Sequence, residues 1–241
     1  MQRLKKDNTQ FIYMNNYNIY GIGTALVDTE VMVTEPFLAT NKVSKGIMTL
    51  VDEPRQSRLL LALKSHSCHI KRNCGGSACN TVVATNNFGT KAFYSAKVAD
   101  DSDGDFFIKD LNAAGVAFHS VKADVGVTGK CLVMVTPDAD RTMNTYLGVS
   151  VNIGIEDLNF PVLACSGWLY IEGYMVTDCA RTEVALAAMQ FAKKHGVKTS
   201  LSLSDPFVVK IFLQRMCRVI DDGLSLLFCN LDEVRSFTKT R

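Results

Sequence analysis

The apolar positions of this chain fall into two alternating rhythms. Short apolar runs at Tyr17–Ile22, Ala92–Val98, Trp168–Ile171, Val197–Leu203 and Leu224–Phe228 have the length and composition of buried strands. Between them lie longer segments with apolar residues at helical spacing. Pro54–Leu63 follows Asp52 and carries a proline in its first turn. Ser77–Phe88 stops at Gly89, and Gly104–Ala114 sets Phe107, Ile108 and Leu111 on one face before Gly115. The longest, Asp178–His195, opens on an acid and closes with Lys193, Lys194 and His195 ahead of Gly196. Pro206–Met216 is a further helix. Strands alternating with helices predict an α/β fold, with a parallel sheet covered on both faces.

Two stretches break this rhythm. Thr29–Leu50 has little helical period, and Val127–Leu147 reads as a hairpin: Lys130–Thr136, a turn at Pro137-Asp138-Ala139-Asp140, then Arg141–Leu147. Both predict a small β lid across the mouth where the parallel strands end, which is where open α/β sheets bind ligands. The partition that follows is an α/β core of residues 17–27, 54–120 and 150–241, a lid of residues 28–53 and 121–149, and an N-terminal extension, 1–16.

Composition narrows the function classes. The 241 residues are 47% hydrophobic with a net charge of +2, and the basic pairs Lys5-Lys6 and Lys193-Lys194 are isolated. Neither a nucleic-acid partner nor a membrane is expected, because there is no basic footprint and the apolar runs are too short to span a bilayer. No basic segment followed by an apolar stretch opens the chain, so a cytoplasmic setting with reduced thiols is expected. The eight cysteines include no C-x-x-C pair. His66, Cys68, His69 and Cys74 cluster in sequence, but their spacing fits no zinc pattern and reads as a polar loop after a helix.

Candidate chemistry gathers at three places. Gly75-Gly76-Ser77-Ala78-Cys79-Asn80 puts two glycines at a helix start, where a ligand can approach the backbone and the first amide groups point outward. Asn80 adds a donor and an acceptor, which suits a ligand rich in hydroxyls; an ordinary turn into a core helix is the competing reading. Asp28 is the first charge after the strand at Tyr17–Ile22, as a site acid or a solvated loop acid, and Glu172 follows the apolar Trp168–Ile171 at another strand end, as a site acid or a strand-terminating one. Gly21-Ile22-Gly23 lacks the third glycine of a dinucleotide fingerprint, since Leu26 stands there. Neither G-x-x-x-x-G-K-[ST] nor G-x-S-x-G occurs.

Taken in order, these motifs resemble one family, the ribokinase-like (PfkB) sugar and nucleoside kinases, and within it the adenosine-kinase branch. Gly75 to Asn80 is similar to the family's first signature, followed by Gly89, Ala99-Asp100-Asp101 and Gly104-Asp105-Phe106. Gly23-Thr24-Ala25-Leu26-Val27-Asp28, Asp138 to Asn144, Tyr170 to Tyr174 and Leu203 to Phe207 also resemble that branch. The resemblance implies a three-layer α/β/α sandwich with a β lid and transfer of the ATP γ-phosphoryl group to a nucleoside or sugar hydroxyl with Mg²⁺. It implies that Asp28 holds two sugar hydroxyls, with Gly75, Gly76, Asn80 and Glu172 in the same pocket. Arg141 would reach the phosphates from the lid, and Asn230 and Glu233 would form the Asn-x-x-Glu element near Mg²⁺, which acts through water with no direct metal ligand. Ribose, fructose and inosine kinases are the alternative enzymes, and a non-catalytic nucleoside-binding remnant is the alternative of another class.

Departures from the family pattern set further expectations. Thr24 stands where Asn is usual, and Ala99 where Gly is usual. The second signature, Asp-Thr-x-Gly-Ala-Gly-Asp, whose last Asp is the catalytic base, does not occur in residues 1–241, so no catalytic residue is assigned. The expectation is a chain carrying the acceptor half of a kinase and inactive alone, with the last strands of its sheet missing. A homodimer or a C-terminal fragment would cover the edge left open.

Overall fold

The computed structural model describes residues 17–66 and 70–240. Its strands are β1 (Tyr17–Ile22), β2 (Leu26–Met32), β3 (Met48–Leu50), β4 (Ile70–Gly75), β5 (Ala92–Ser95), β6 (Ala117–His119), β7 (Gly129–Val135), β8 (Arg141–Tyr146), β9 (Ser166–Ile171), β10 (Lys198–Ser202) and β11 (Leu226–Phe228). The α-helices are α1 (Glu35–Thr40), α2 (Glu53–His66), α3 (Ser77–Asn87), α4 (Ser102–Ala113), α5 (Phe160–Ala164), α6 (Cys179–Lys194), α7 (Pro206–Asp221) and α8 (Leu231–Thr238). Their starts follow from the sequence: the side chains of Asp101, Asp178, Asp205 and Asn230 accept first-turn amide hydrogens of α4, α6, α7 and α8.

Six strands form a parallel sheet in the order β11-β10-β9-β1-β5-β6. Alternate residues of each strand enter different cores. Tyr20, Ile22, Phe93, Leu169 and Ile171 pack with α6 and α7 residues such as Ala188 and Val209. On the other face, Ala92, Tyr94 and Tyr170 pack with Val82 of α3 and Phe107 and Leu111 of α4. Both faces are largely apolar, which is why most of these strands carry hydrophobic residues at successive positions. The helices divide this way because right-handed crossovers run outward from β1 in both directions.

The second sheet has five strands in the order β3-β8-β7-β2-β4, with β2 parallel to β7 and antiparallel to β4. One face is closed by α1 and α2, where Val31, Leu132 and Met134 meet Phe37, Leu38, Leu59 and Leu63. Asp28, Glu30, Asn73, Cys131, Val133 and Arg141 occupy register positions of the opposite face.

Several placements correct the sequence reading. Residues 54–75, assigned to the core, pack and pair with the small sheet instead, α2 through Leu59 and Leu63 and β4 through its ladder with β2. Residues 70–75 are a strand rather than a polar loop. Asp28 lies within β2, not in a loop beyond β1. Thr29–Leu50 contains the end of β2, α1 and β3. Cys68 and His69 of the His/Cys cluster, the 1–16 extension with Lys5-Lys6, and Arg241 lie outside the described residues.

Helix α4 is fastened to the small sheet along its length. The Asp101 carboxylate accepts from Thr128 N (2.9 Å) and Thr128 Oγ1 (2.7 Å). Asp103 pairs with Arg72 and with Lys130 (2.8 Å), and Asp110 accepts from Cys74 N at 2.6 Å.

Candidate functional site

The β1–β2 connection, the start of α3 and the end of β9 converge on Glu172. This side chain is fully buried. Its Oε1 accepts from Thr24 N at 2.6 Å and from Thr24 Oγ1, and its Oε2 accepts from Ser77 Oγ at 2.6 Å and Ala78 N at 3.1 Å. Glu172 is therefore saturated by protein donors, which corrects its expected place among ligand-facing groups. An anion at the first turn of a helix is electrostatically favoured, and here the protein supplies that anion itself. Tyr94, also fully buried, donates from its hydroxyl to Thr24 O at 3.1 Å. Burial pushes the Tyr94 hydroxyl well above its ordinary pKa, which keeps it a donor.

The glycines are demanded by these approaches. A side chain on Gly76, whose φ is +103°, would overlap the Thr24 carbonyl oxygen. One on Gly75 would occupy the space of the Asp28 carboxyl group. The carboxyl thus lies directly against the backbone of the motif, as a Gly-Gly pair permits.

Asp28 opens into a cleft of about 560 Å³ whose lining includes Asn80, Arg141, Glu30, Asn73, Asp110 and Val133. The structure brings together Asp28, Gly75, Asn80 and Arg141. Burial pushes the Asp28 carboxyl up to about 6; the Arg141 cation pulls it down and Glu30 adds to the rise. A half-buried carboxylate with one nearby cation and an exposed amide, Asn80, is equipped to accept hydrogen bonds from hydroxyl groups.

Asn230 and Glu233 lie outside this lining. They form a capping box: Asn230 Oδ1 accepts from Glu233 N (2.8 Å), and Glu233 accepts from Asn230 N (3.0 Å) and Nδ2 (3.0 Å). The Glu233 carboxylate is buried and held by Asn230, so direct metal ligation does not fit it. No group of three or more His, Cys, Asp or Glu residues suited to a metal ion occurs among the described residues. No described helix is long and apolar enough to cross a membrane.

Sequence reasoning missed Thr24, Ser77 and Tyr94 as partners of the Glu172 assembly. Their meeting depends on three strand ends that are far apart in sequence. The one visible signal was Thr24, a hydroxyl residue where the resembled pattern has an amide.

Comparison with known proteins bears on this arrangement. A family model described as "pfkB family carbohydrate kinase" matches residues 47–241. Guanosine-inosine kinase of Escherichia coli K12 is 22% identical over 231 residues, 91% of this chain and 52% of its own length. Adenosine kinase of Saccharomyces cerevisiae is 25% identical over 224 residues, covering 90% and 64% respectively. The chain thus spans about half to two thirds of these relatives. The crystal structure of adenosine kinase from Sinorhizobium meliloti superposes with a TM-score of 0.85 at 33% identity, over 94% of this chain and 68% of that one.

Proposed function

The chain belongs to the pfkB family of carbohydrate kinases, with the ribokinase-like three-layer fold, and on that premise we propose that it carries the acceptor-binding side of an ATP-dependent nucleoside kinase. The observation that supports this most is the Asp28 carboxyl seated against Gly75, in a cleft shared with Asn80 and Arg141. Asp28 accepts hydrogen bonds from two acceptor hydroxyls, Gly75 and Gly76 allow the ring to approach the backbone, and Asn80 orients it. Arg141 supplies a cation on the lid side of the same cleft. ATP with Mg²⁺, when bound, would supply the phosphoryl group; Asn230 and Glu233, as a capping box, would meet a hydrated cation only through water. A cytoplasmic setting accords with the free thiols of the described cysteines.

Adenosine is the acceptor favoured by the Sinorhizobium meliloti structure, and the Escherichia coli relative supports testing guanosine and inosine beside it. Calorimetry with these nucleosides and with ribose tests the reading. Asp28→Ala is expected to weaken binding by tenfold or more, since a hydrogen bond to a charged group is worth about 1.5–3 kcal/mol. Equal affinity of the variant and the parent removes Asp28 from the site.

Residues 1–241 contain no Asp-Thr-x-Gly-Ala-Gly-Asp segment. A polypeptide of these residues alone is expected to bind acceptor and to release no ADP in a coupled assay. A missing general base alone costs roughly 10²–10⁴-fold. Robust turnover by that polypeptide would require another base from within these residues.

A further inference from the structure

We propose that Glu172 is a positioning residue: by holding Thr24 and the first turn of α3 on one carboxylate, it sets the spacing between Asp28 and Asn80. The inference rests on the acceptor-site reading above and assigns a role to a side chain that does not face the cleft.

Three observations carry it. First, Glu172 ties two segments together just past the last pair of the β2–β4 ladder, Leu26 and Gly75, and anchors both to the end of β9. Thr24 precedes β2, which holds Asp28, while Ser77 and Ala78 begin α3, which holds Asn80. Second, Glu172 and the start of α3 pack directly against the backbone of the β1–β2 connection. A side chain on Gly23 would come within 2.6 Å of the Glu172 carboxyl carbon and 2.7 Å of Ala78 Cβ. Third, the junction is closed around Thr24 from several sides. Its amide and hydroxyl donate to Glu172, its carbonyl accepts from Tyr94, and that same carbonyl lies where a side chain on Gly76 would be.

The chemistry calls for a carboxylate. Four donors point at one side chain, and only an ionised acid offers acceptors alone. Glutamine keeps the shape, yet its amide nitrogen cannot accept from Ala78 N. One orphaned backbone donor at the start of α3 then sits where no solvent reaches.

The test uses the 241-residue chain, adenosine calorimetry and amide hydrogen exchange on Glu172→Gln, Ser77→Ala and Thr24→Val. Glu172→Gln is expected to weaken adenosine binding roughly tenfold or more, the factor that loss of a hydrogen bond to a charged group corresponds to. Exchange at Thr24 and Ala78 is expected to speed up while the amides of β9 and β1 stay protected. In an Asp28→Ala background the same substitution is expected to cost much less, because there is no longer an Asp28 to misplace; additive losses would indicate a purely structural effect and overturn the proposal. Should Glu172→Gln not fold, the two hydroxyl deletions decide, each expected to lose twofold or more in affinity. Unchanged affinity in both, with tight binding by the parent, overturns the positioning role and leaves the acceptor site standing. If the parent itself binds none of the nucleosides yet exchange at Thr24 and Ala78 still depends on Glu172, the acceptor reading fails and the clamp remains only as architecture.

Discussion

The two sheets of this molecule use the same strand geometry to opposite ends. The parallel sheet sends side chains from both faces into apolar cores, with few buried polar groups such as Thr199 and Ser200 of β10. The five-stranded sheet buries one face against α1 and α2 and turns the other, with Asp28, Glu30 and Arg141, toward a cleft. A sheet covered on both sides can only be a support. A sheet covered on one side has a surface to spare, and the candidate site is built there, braced from the ends of the other.

Core truncations should break the pair apart most strongly. Leu169→Ala in β9 and Leu132→Ala in β7 each remove a fully buried side chain and are expected to cost about 2–5 kcal/mol. Hydrogen exchange should separate them: Leu169→Ala weakens protection throughout, whereas Leu132→Ala opens the small sheet first. Identical exchange patterns would mean that the sheets unfold as one unit.

Next in size is Gly76→Ala. A non-glycine residue at this φ costs on the order of 1–3 kcal/mol before the overlap with Thr24 is counted. Both lower thermal stability and loss of nucleoside binding are expected, read by calorimetry in each case. Gly89→Ala, also at positive φ but with nothing near its missing side chain, should lose stability while keeping affinity.

The pH response is smaller and more specific. Asp28 is raised from 3.8 to about 6 in the folded chain. Its contribution to stability is fully present below the unfolded value and is lost as pH rises through about 6. Acceptor hydroxyls favour the ionised form, so affinity should run the other way and increase roughly tenfold from pH 5 to pH 7. Asp28→Asn should flatten both curves. Arg141→Ala removes the cation that lowers this value, so the midpoint should move upward with little change in stability; a downward move would show that Arg141 does not act on Asp28.

The parallel sheet was legible because most of its strands are rich in apolar residues, β10 with its Lys198-Thr199-Ser200 being the exception, and because its helices carry capping acids. The small sheet was only half legible. Ile70–Gly75 alternates a few apolar residues with Lys71 and Asn73 at an edge, and pairing with β2, not composition, makes it a strand. Asp28 was singled out as a candidate site acid from the motif around it, yet its place inside a strand was hidden because β2 is interrupted by charge on its open face. Glu172 was found as a residue and misread as a contact, since no local pattern reveals that its donors arrive from Thr24 and from Ser77 and Ala78. Asn230 and Glu233 satisfy both a family motif and the ordinary capping rule, which sequence cannot separate.

Three carboxylates, one at the cap of α4 and two within it, give the small sheet a mechanical attachment. Asp101, Asp103 and Asp110 grip Thr128, Arg72, Lys130 and the Cys74 amide, so two strands, β4 and β7, and the loop before β7 are riveted to one rod. That rod also packs on β6, the outermost strand of the parallel sheet. A swing of the small sheet about the Gly75–Gly76 turn would have to carry α4 as a lever and load that rim, or shear the rivets at one end. Of these fastenings only the two ion pairs of Asp103 are weakened by salt, while the hydrogen bonds of Asp101 and Asp110 from neutral donors are not, so compliance along this axis rises only in part with ionic strength.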